Sequence, residues 1–250
     1  MDNKSRMYQN SVNKVFNNNK KVYFSYDDKN KKDYNTVILL HSLGYNSQWW
    51  GDLPKKLTDS GFAVLSIDLR GHGKSIYNSK LAKVSWKSLT NYGYSKSPQD
   101  IVAVINSIND ANAKKSFFNN WAIIGCDLGA SSGIIAADSL QTKPKTIVMI
   151  SPVIKIKGLY VPVKIAQLDN VDFLTICSKD DTLTRNASAY LKKFAQSNYS
   201  EITIDSKEHD KVLANNIMRF IQKQYETKKL HKRELLTTFA IHNNKNGHIM

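Results

Sequence analysis

The chain has 250 residues, 41% of them hydrophobic and 10% aromatic, a composition that builds a packed core and excludes a disordered chain. No apolar run approaches the roughly 20 residues a membrane helix needs, and the polar start Met1–Met7 has no apolar stretch behind it, so neither a span nor a secretory signal is expected. The net charge is +15, but the lysines are scattered among asparagines with no basic stripe, which argues against nucleic acid as partner.

Residues 1–20 are polar and read as a solvated extension. A single domain is expected over 21–226, beginning with an antiparallel edge strand at Lys21–Tyr26. Short, β-branched-rich runs follow at Thr36–Ser42, Ala63–Leu69, Trp121–Cys126, Thr146–Ser151 and Phe173–Ser178. Continuous apolar runs of this length suit strands buried on both faces of a parallel sheet. Glu201–Asp205 alternates and fits an edge strand. Helical patterns lie between these strands, at about 47–60, 98–110, 128–140, 184–197 and 210–225. Alternating strand and helix implies right-handed βαβ units and a doubly wound, mostly parallel α/β sheet. The tail 227–250 is basic and reads as a second solvated appendage. Cys126 and Cys177 each end an apolar run, where a reduced, buried thiol is usual; disulfide scaffolding is excluded and cytoplasm is favoured.

Ligands of such sheets bind at the carboxyl ends of the strands, and the motifs gather there. His41-Ser42-Leu43-Gly44 follows the first parallel strand. Asp68–Ser75 (DLRGHGKS) follows the second, and Gly125-Cys126-Asp127-Leu128-Gly129 joins strand 121–126 to helix 128–140. Asp180-Asp181 ends a late strand, and His209 stands between the last strand and the last helix. In this order the five segments resemble the α/β-hydrolase superfamily over roughly residues 36–222. The twenty-odd residues between strands 146–151 and 173–178 leave no room for a large cap domain, so the compact, cap-less esterases are the nearer likeness.

The resemblance places Asp127 at the nucleophile elbow, Asp181 (preferred to Asp180) at the acid position and His209 at the histidine position. It implies an oxyanion hole made by the backbone N–H groups of Leu43 and Leu128. His41, Ser42, Trp50 and Tyr160 are candidate pocket residues; Ser42 stands where the family usually has glycine, which tightens the hole. His41 and His72 are read chiefly as loop-structuring histidines, and Asp210 as an N-cap. Two other frames are set aside. Gly129–Gly133 fits G-x-S-x-G literally but begins about one turn inside the helix, and Cys126 points into the turn as a core residue. No cluster has metal-ligand spacing, GHGKS lacks the full phosphate-loop spacing, and no cofactor is expected.

Aspartate at the elbow leaves two readings open. A carboxylate attacking an ordinary ester would give a mixed anhydride, a poor route. Attack on an epoxide or haloalkane carbon gives an alkyl ester that an activated water can hydrolyse. Enzymes of that kind carry a Trp after the Asp and a helical cap with activating tyrosines. Here Leu128 follows, and Tyr92, Tyr94 and Tyr160 are the only nearby substitutes. The leading expectation is a hydrolase acting on a small organic substrate, ester-like, or epoxide or halide if Asp127 attacks. The alternative is a catalytically inactive, hydrolase-like protein that binds a small molecule or partner through the same cleft. The sequence leaves substrate and oligomeric state open.

Overall fold

In the computed structural model, the described residues are 11–17, 20–27, 35–78, 80–111, 118, 120–205 and 213–225. The chain divides into two compact units, 1–209 and 210–250. The first is a mainly parallel sheet with helices. The second contains the helix 213–225, within the helical pattern expected over about 210–225, on which Leu213, Ile217, Ile221 and Tyr225 are buried at four-residue spacing.

The strands of the first unit are β1 (Ser11–Asn17), β2 (Lys20–Asp27), β3 (Asn35–Leu40), β4 (Ala63–Asp68), β5 (Asn120–Cys126), β6 (Thr146–Ile150), β7 (Lys155–Ile156), β8 (Leu159–Tyr160), β9 (Asp172–Ser178) and β10 (Tyr199–Ile204). Its helices are α1 (Leu53–Asp59), α2 (Asn91–Tyr94), α3 (Ser97–Ala111), α4 (Leu128–Ser139), α5 (Pro162–Ala166) and α6 (Thr182–Lys192). The main sheet runs β1-β2-β4-β3-β5-β6-β9-β10, with the last six parallel and β1 and β2 antiparallel. This is the α/β-hydrolase arrangement. One correction follows for the N-terminus: Ser11–Asn17, read as part of a solvated extension, pairs with β2 as the edge strand, so β2 is second from the edge. Its sequence, SVNKVFN, mixes three apolar residues into a polar run too weak to signal a strand alone.

Burial explains the strand sequences. Val37–Leu40, Trp121–Ile124 and Ile147–Ile150 are all within 1% of full burial, covered on both faces. Each such aliphatic side chain contributes about 1.5–3 kcal/mol. Helix α4 passes closest to the sheet centre, with Leu128–Ile134 and Ala136–Ala137 buried, which is why its residues are small and carry no polar stripe.

The strand order also decides where a site can form. From β3 the chain goes to β4 on one side, then crosses to β5 on the other. Loops leaving β3 and β5 therefore diverge, opening a crevice at their carboxyl ends. The segment that would carry a cap, between β6 and β9, holds only the β7–β8 hairpin and the short helix α5.

Candidate active site

Asp127 closes β5 and starts α4 with φ 50° and ψ −108°, a conformation that L residues rarely adopt and that costs on the order of 1–3 kcal/mol. The turn is held by backbone: Asp127 N–H donates to the Ile150 carbonyl at 3.0 Å, and Ser131 N–H donates to the Asp127 carbonyl at 3.1 Å. The flanking glycines are dictated by space. A Cβ on Gly125 would lie 2.5 Å from Ala130 backbone atoms, and one on Gly129 would lie 2.2 Å from the Leu40 carbonyl oxygen. Neither neighbour is a side chain that could swing away, so the elbow requires glycine at both places. The literal G-x-S-x-G at 129–133 lies wholly within α4, with Ser131 and Ser132 buried. Cys126 is buried, which pushes its thiol up to about 12, too high for a nucleophile near neutral pH.

The Asp127 carboxylate faces the loop after β3. Ser42 Oγ donates to its Oδ2 at 2.9 Å, while Oδ1 is buried and has no hydrogen-bond partner among the described residues. Burial drives the Asp127 pKa above the ordinary carboxylate range. The Ser42 hydroxyl and the backbone N–H groups of Leu43 and Leu128 oppose that shift without cancelling it. The two N–H groups lie near enough to favour the charge, yet neither completes a hydrogen bond with Oδ1. The carboxylate therefore lies next to both expected oxyanion donors.

The loop carrying Ser42 is tied to the turn after β4. His41 is fully buried; its Nε2 accepts from Leu69 N–H at 2.9 Å, which fixes the proton on Nδ1, where it donates to the Ser42 carbonyl at 2.8 Å. His72 repeats the pattern: Nε2 accepts from Gly44 N–H at 3.0 Å and Nδ1 donates to the Arg70 carbonyl. Its ring stacks on Trp86 at 5.7 Å. The Asp68 carboxylate accepts from Ser47 N–H at 2.7 Å and from Lys74 N–H at 2.8 Å. Arg70 forms a bidentate ion pair with Asp100 at the start of α3, both side chains being almost fully buried. The DLRGHGKS segment is thus a bracket for the loop. Asp68 is its central residue, and the sequence reading assigned it no role although the motif contained it.

The remaining candidates sit as follows. Asp181 is half-buried at the N-cap of α6, where its Oδ1 accepts from Thr184 N–H at 3.1 Å. His209 lies outside the described residues, as do Asp210, His231, His242 and His248. Trp50 is buried edge-on against Trp49, 4.8 Å between ring centroids, with its Nε1–H unpaired among the described residues. Tyr160 is 44% exposed and lies beside Tyr190 of α6. Tyr94 is buried with its hydroxyl donating to the Trp86 carbonyl, and Tyr92 is exposed. No hydrogen bond joins any of these tyrosines to Asp127 among the described residues. His41 takes the loop-structuring role chiefly expected of it and not the pocket role also considered, since both ring nitrogens are engaged and none of its surface is exposed. No metal-binding group of His, Cys, Asp and Glu occurs among the described residues, and no helix there is long and apolar enough to cross a membrane.

Residues 31–216 match the family described as serine aminopeptidase, S33. No curated protein matches the chain. Among solved structures, the chain is similar to the enol-lactonase from Burkholderia xenovorans LB400, with 12% identity, a TM-score of 0.67, and coverage of 86% of this chain and 100% of that one. It is also similar to a hydrolase from Pseudomonas aeruginosa PA01, with 12% identity, a TM-score of 0.66 and coverage of 85% and 99%. A thermostable carboxyl esterase from Bacillus coagulans has 10% identity, a TM-score of 0.65 and coverage of 85% and 97%. At these identities the likeness is one of fold.

Proposed function

Because the chain belongs to the serine aminopeptidase S33 family of α/β-hydrolases, we propose that it hydrolyses a small, ester-like organic substrate in the crevice between the ends of β3 and β5. The observation that carries this reading is the elbow. Its strained turn, its obligatory glycines and the two N–H groups beside residue 127 are intact. An acyl group placed there would set its carbonyl oxygen near the N–H groups of Leu43 and Leu128, the donors an acyl-transfer intermediate needs. By chain order Asp181 and His209 stand at the family's acid and histidine positions. The short β6–β9 connection, and the lack of any tyrosine hydrogen bond to Asp127 among the described residues, favour esters over epoxides or haloalkanes.

A second reading rests on the same carboxylate. Where a substrate oxygen would bind, the N–H groups of Leu43 and Leu128 already favour the Asp127 charge, which would leave a binding cleft without turnover. A panel of short aryl esters, epoxides and haloalkanes assayed on wild type and on Asp127→Ser separates the two. Ester turnover by the wild type, with little on the other substrates, is expected. No wild-type turnover, with hydrolysis appearing only in Asp127→Ser, would establish the second reading in its place.

A further inference from the structure

We propose that Ser42 is the nucleophile of this site, with the Asp127 carboxylate as its general base. The inference rests on the ester reading above, because a carboxylate attacking an ester yields an anhydride while a hydroxyl yields a stable acyl ester. Three features of the geometry support it. The Ser42 hydroxyl already donates to Asp127 Oδ2 at 2.9 Å, the starting arrangement for proton removal. Asp127 itself is badly placed to attack, since Oδ2 is engaged by that hydroxyl and Oδ1 is buried. Ser42, by contrast, is only partly buried and sits on the loop leaving β3, at the crevice the strand order creates.

The two peptide donors suit this exchange of roles. In the elbow arrangement one oxyanion donor is the N–H of the residue after the nucleophile, and the other comes from the loop. Leu43 follows Ser42 as Leu128 follows Asp127, and both N–H groups lie beside the Asp127 carboxylate that Ser42 contacts.

In the first step Ser42 Oγ bonds to the substrate carbonyl carbon as its proton passes to Asp127 Oδ2. The tetrahedral oxyanion collapses, the bond to the leaving oxygen or sulfur breaks, and that atom takes the proton from Asp127. Water then gives a proton to Asp127 and attacks the acyl carbon; Ser42 Oγ leaves and recovers the proton. A carboxylate is a weaker base than imidazole, so little alkoxide forms and the leaving group must depart easily. The substrate class is therefore an activated ester or thioester: an aryl or enol ester in place of a simple alkyl ester.

The test is acylation by p-nitrophenyl acetate with a fluorophosphonate as a second probe, followed by peptide mass spectrometry. The wild type is expected to release a burst of nitrophenol and to carry the acyl or phosphonyl group on Ser42. Ser42→Ala should lose at least about 100-fold in turnover while remaining folded by circular dichroism, and Asp127→Asn should lose both turnover and label. Turnover retained in Ser42→Ala, or ¹⁸O from water appearing in the Asp127 carboxylate, would overturn the role of Ser42 while leaving the hydrolase reading intact. Absence of both turnover and label in the wild type would overturn the two together.

Discussion

The loop that carries Ser42 should be the acid-sensitive part of the fold, and His41 is the reason. Its neutral ring accepts from Leu69 N–H and donates to the Ser42 carbonyl; a cationic ring has no acceptor, so protonation leaves Leu69 N–H buried without a partner. Burial holds the His41 pKa down to about 4; the Ser42 carbonyl opposes this, neighbouring His72 reinforces it, and the Asp68 carboxylate opposes it weakly. In an unfolded chain the same ring titrates near 6.5. Above that value both states hold a neutral ring and His41 contributes no pH dependence. Between 6.5 and about 4 the unfolded state binds more protons, so stability falls as pH falls; below about 4 the loss is complete. At about 1.4 kcal/mol per pH unit the loss over that window is about 3 kcal/mol, a large share of the roughly 5–15 kcal/mol that holds a domain folded.

The perturbation is His41→Gln, which keeps a donor and an acceptor but cannot titrate. Urea unfolding followed by tryptophan fluorescence between about pH 7 and about pH 4 should show the wild type losing about 3 kcal/mol more than the variant. His72, whose pKa burial also lowers, adds a slope of the same sign in both proteins. A variant that loses stability with acid as steeply as the wild type would refute the assignment of the tether to His41.

Three further outcomes are expected. Arg70→Met should cost about 3–5 kcal/mol in urea unfolding, because it leaves the Asp100 carboxylate buried without its guanidinium; Arg70→Met with Asp100→Leu should recover most of that. Gly129→Ala should destabilise by about 3 kcal/mol or fail to fold, since its methyl meets the Leu40 carbonyl at 2.2 Å; a soluble variant with a wild-type thermal midpoint would contradict the elbow packing. Asp181→Ala should lose about 1 kcal/mol as the α6 cap is removed, and Asp181→Asn should lose little, since Asn also caps. If Asp181 also serves the reaction, Asp181→Asn will lower kcat while leaving the melting temperature nearly unchanged, a split that a capping role alone does not produce.

Where sequence reading succeeded, the signal was a physical requirement that leaves few alternatives. A strand buried on both faces must be continuously apolar, so β3, β4, β5, β6 and β9 stand out within a residue or two of their observed ends. A strand-to-helix turn that passes within contact of Leu40 and Ala130 must be flanked by glycines, so the frame at residue 127 is fixed by Gly125 and Gly129. Where it fell short, the decisive contacts were long-range. Edge strand β1 is specified by pairing with β2 more than by its own SVNKVFN pattern. The bond from Ser42 to Asp127 spans 85 positions, and no local spacing encodes it. The loop-structuring role of His41 is legible, but its partner Leu69, 28 positions away, is not.

These contacts change which residue the scaffold serves. The backbone of the elbow is set by glycines and by peptide hydrogen bonds, so it accepts a carboxylate at 127 as readily as a hydroxyl. Side-chain order is concentrated instead on the opposite loop: His41 ties it to Leu69, His72 to Gly44 and Asp68 to Ser47, all from the turn after β4. Three such tethers on a seven-residue segment suppress the loop motion that would otherwise let the Ser42 hydroxyl wander from the carboxylate. In an inert cleft the Ser42 hydroxyl, 2.9 Å from Asp127 Oδ2, would serve only to stabilise a buried carboxylate whose other oxygen has no partner among the described residues. In the proposed reaction the same contact also carries a proton between those two atoms, with the attacking oxygen on Ser42 and the base on Asp127.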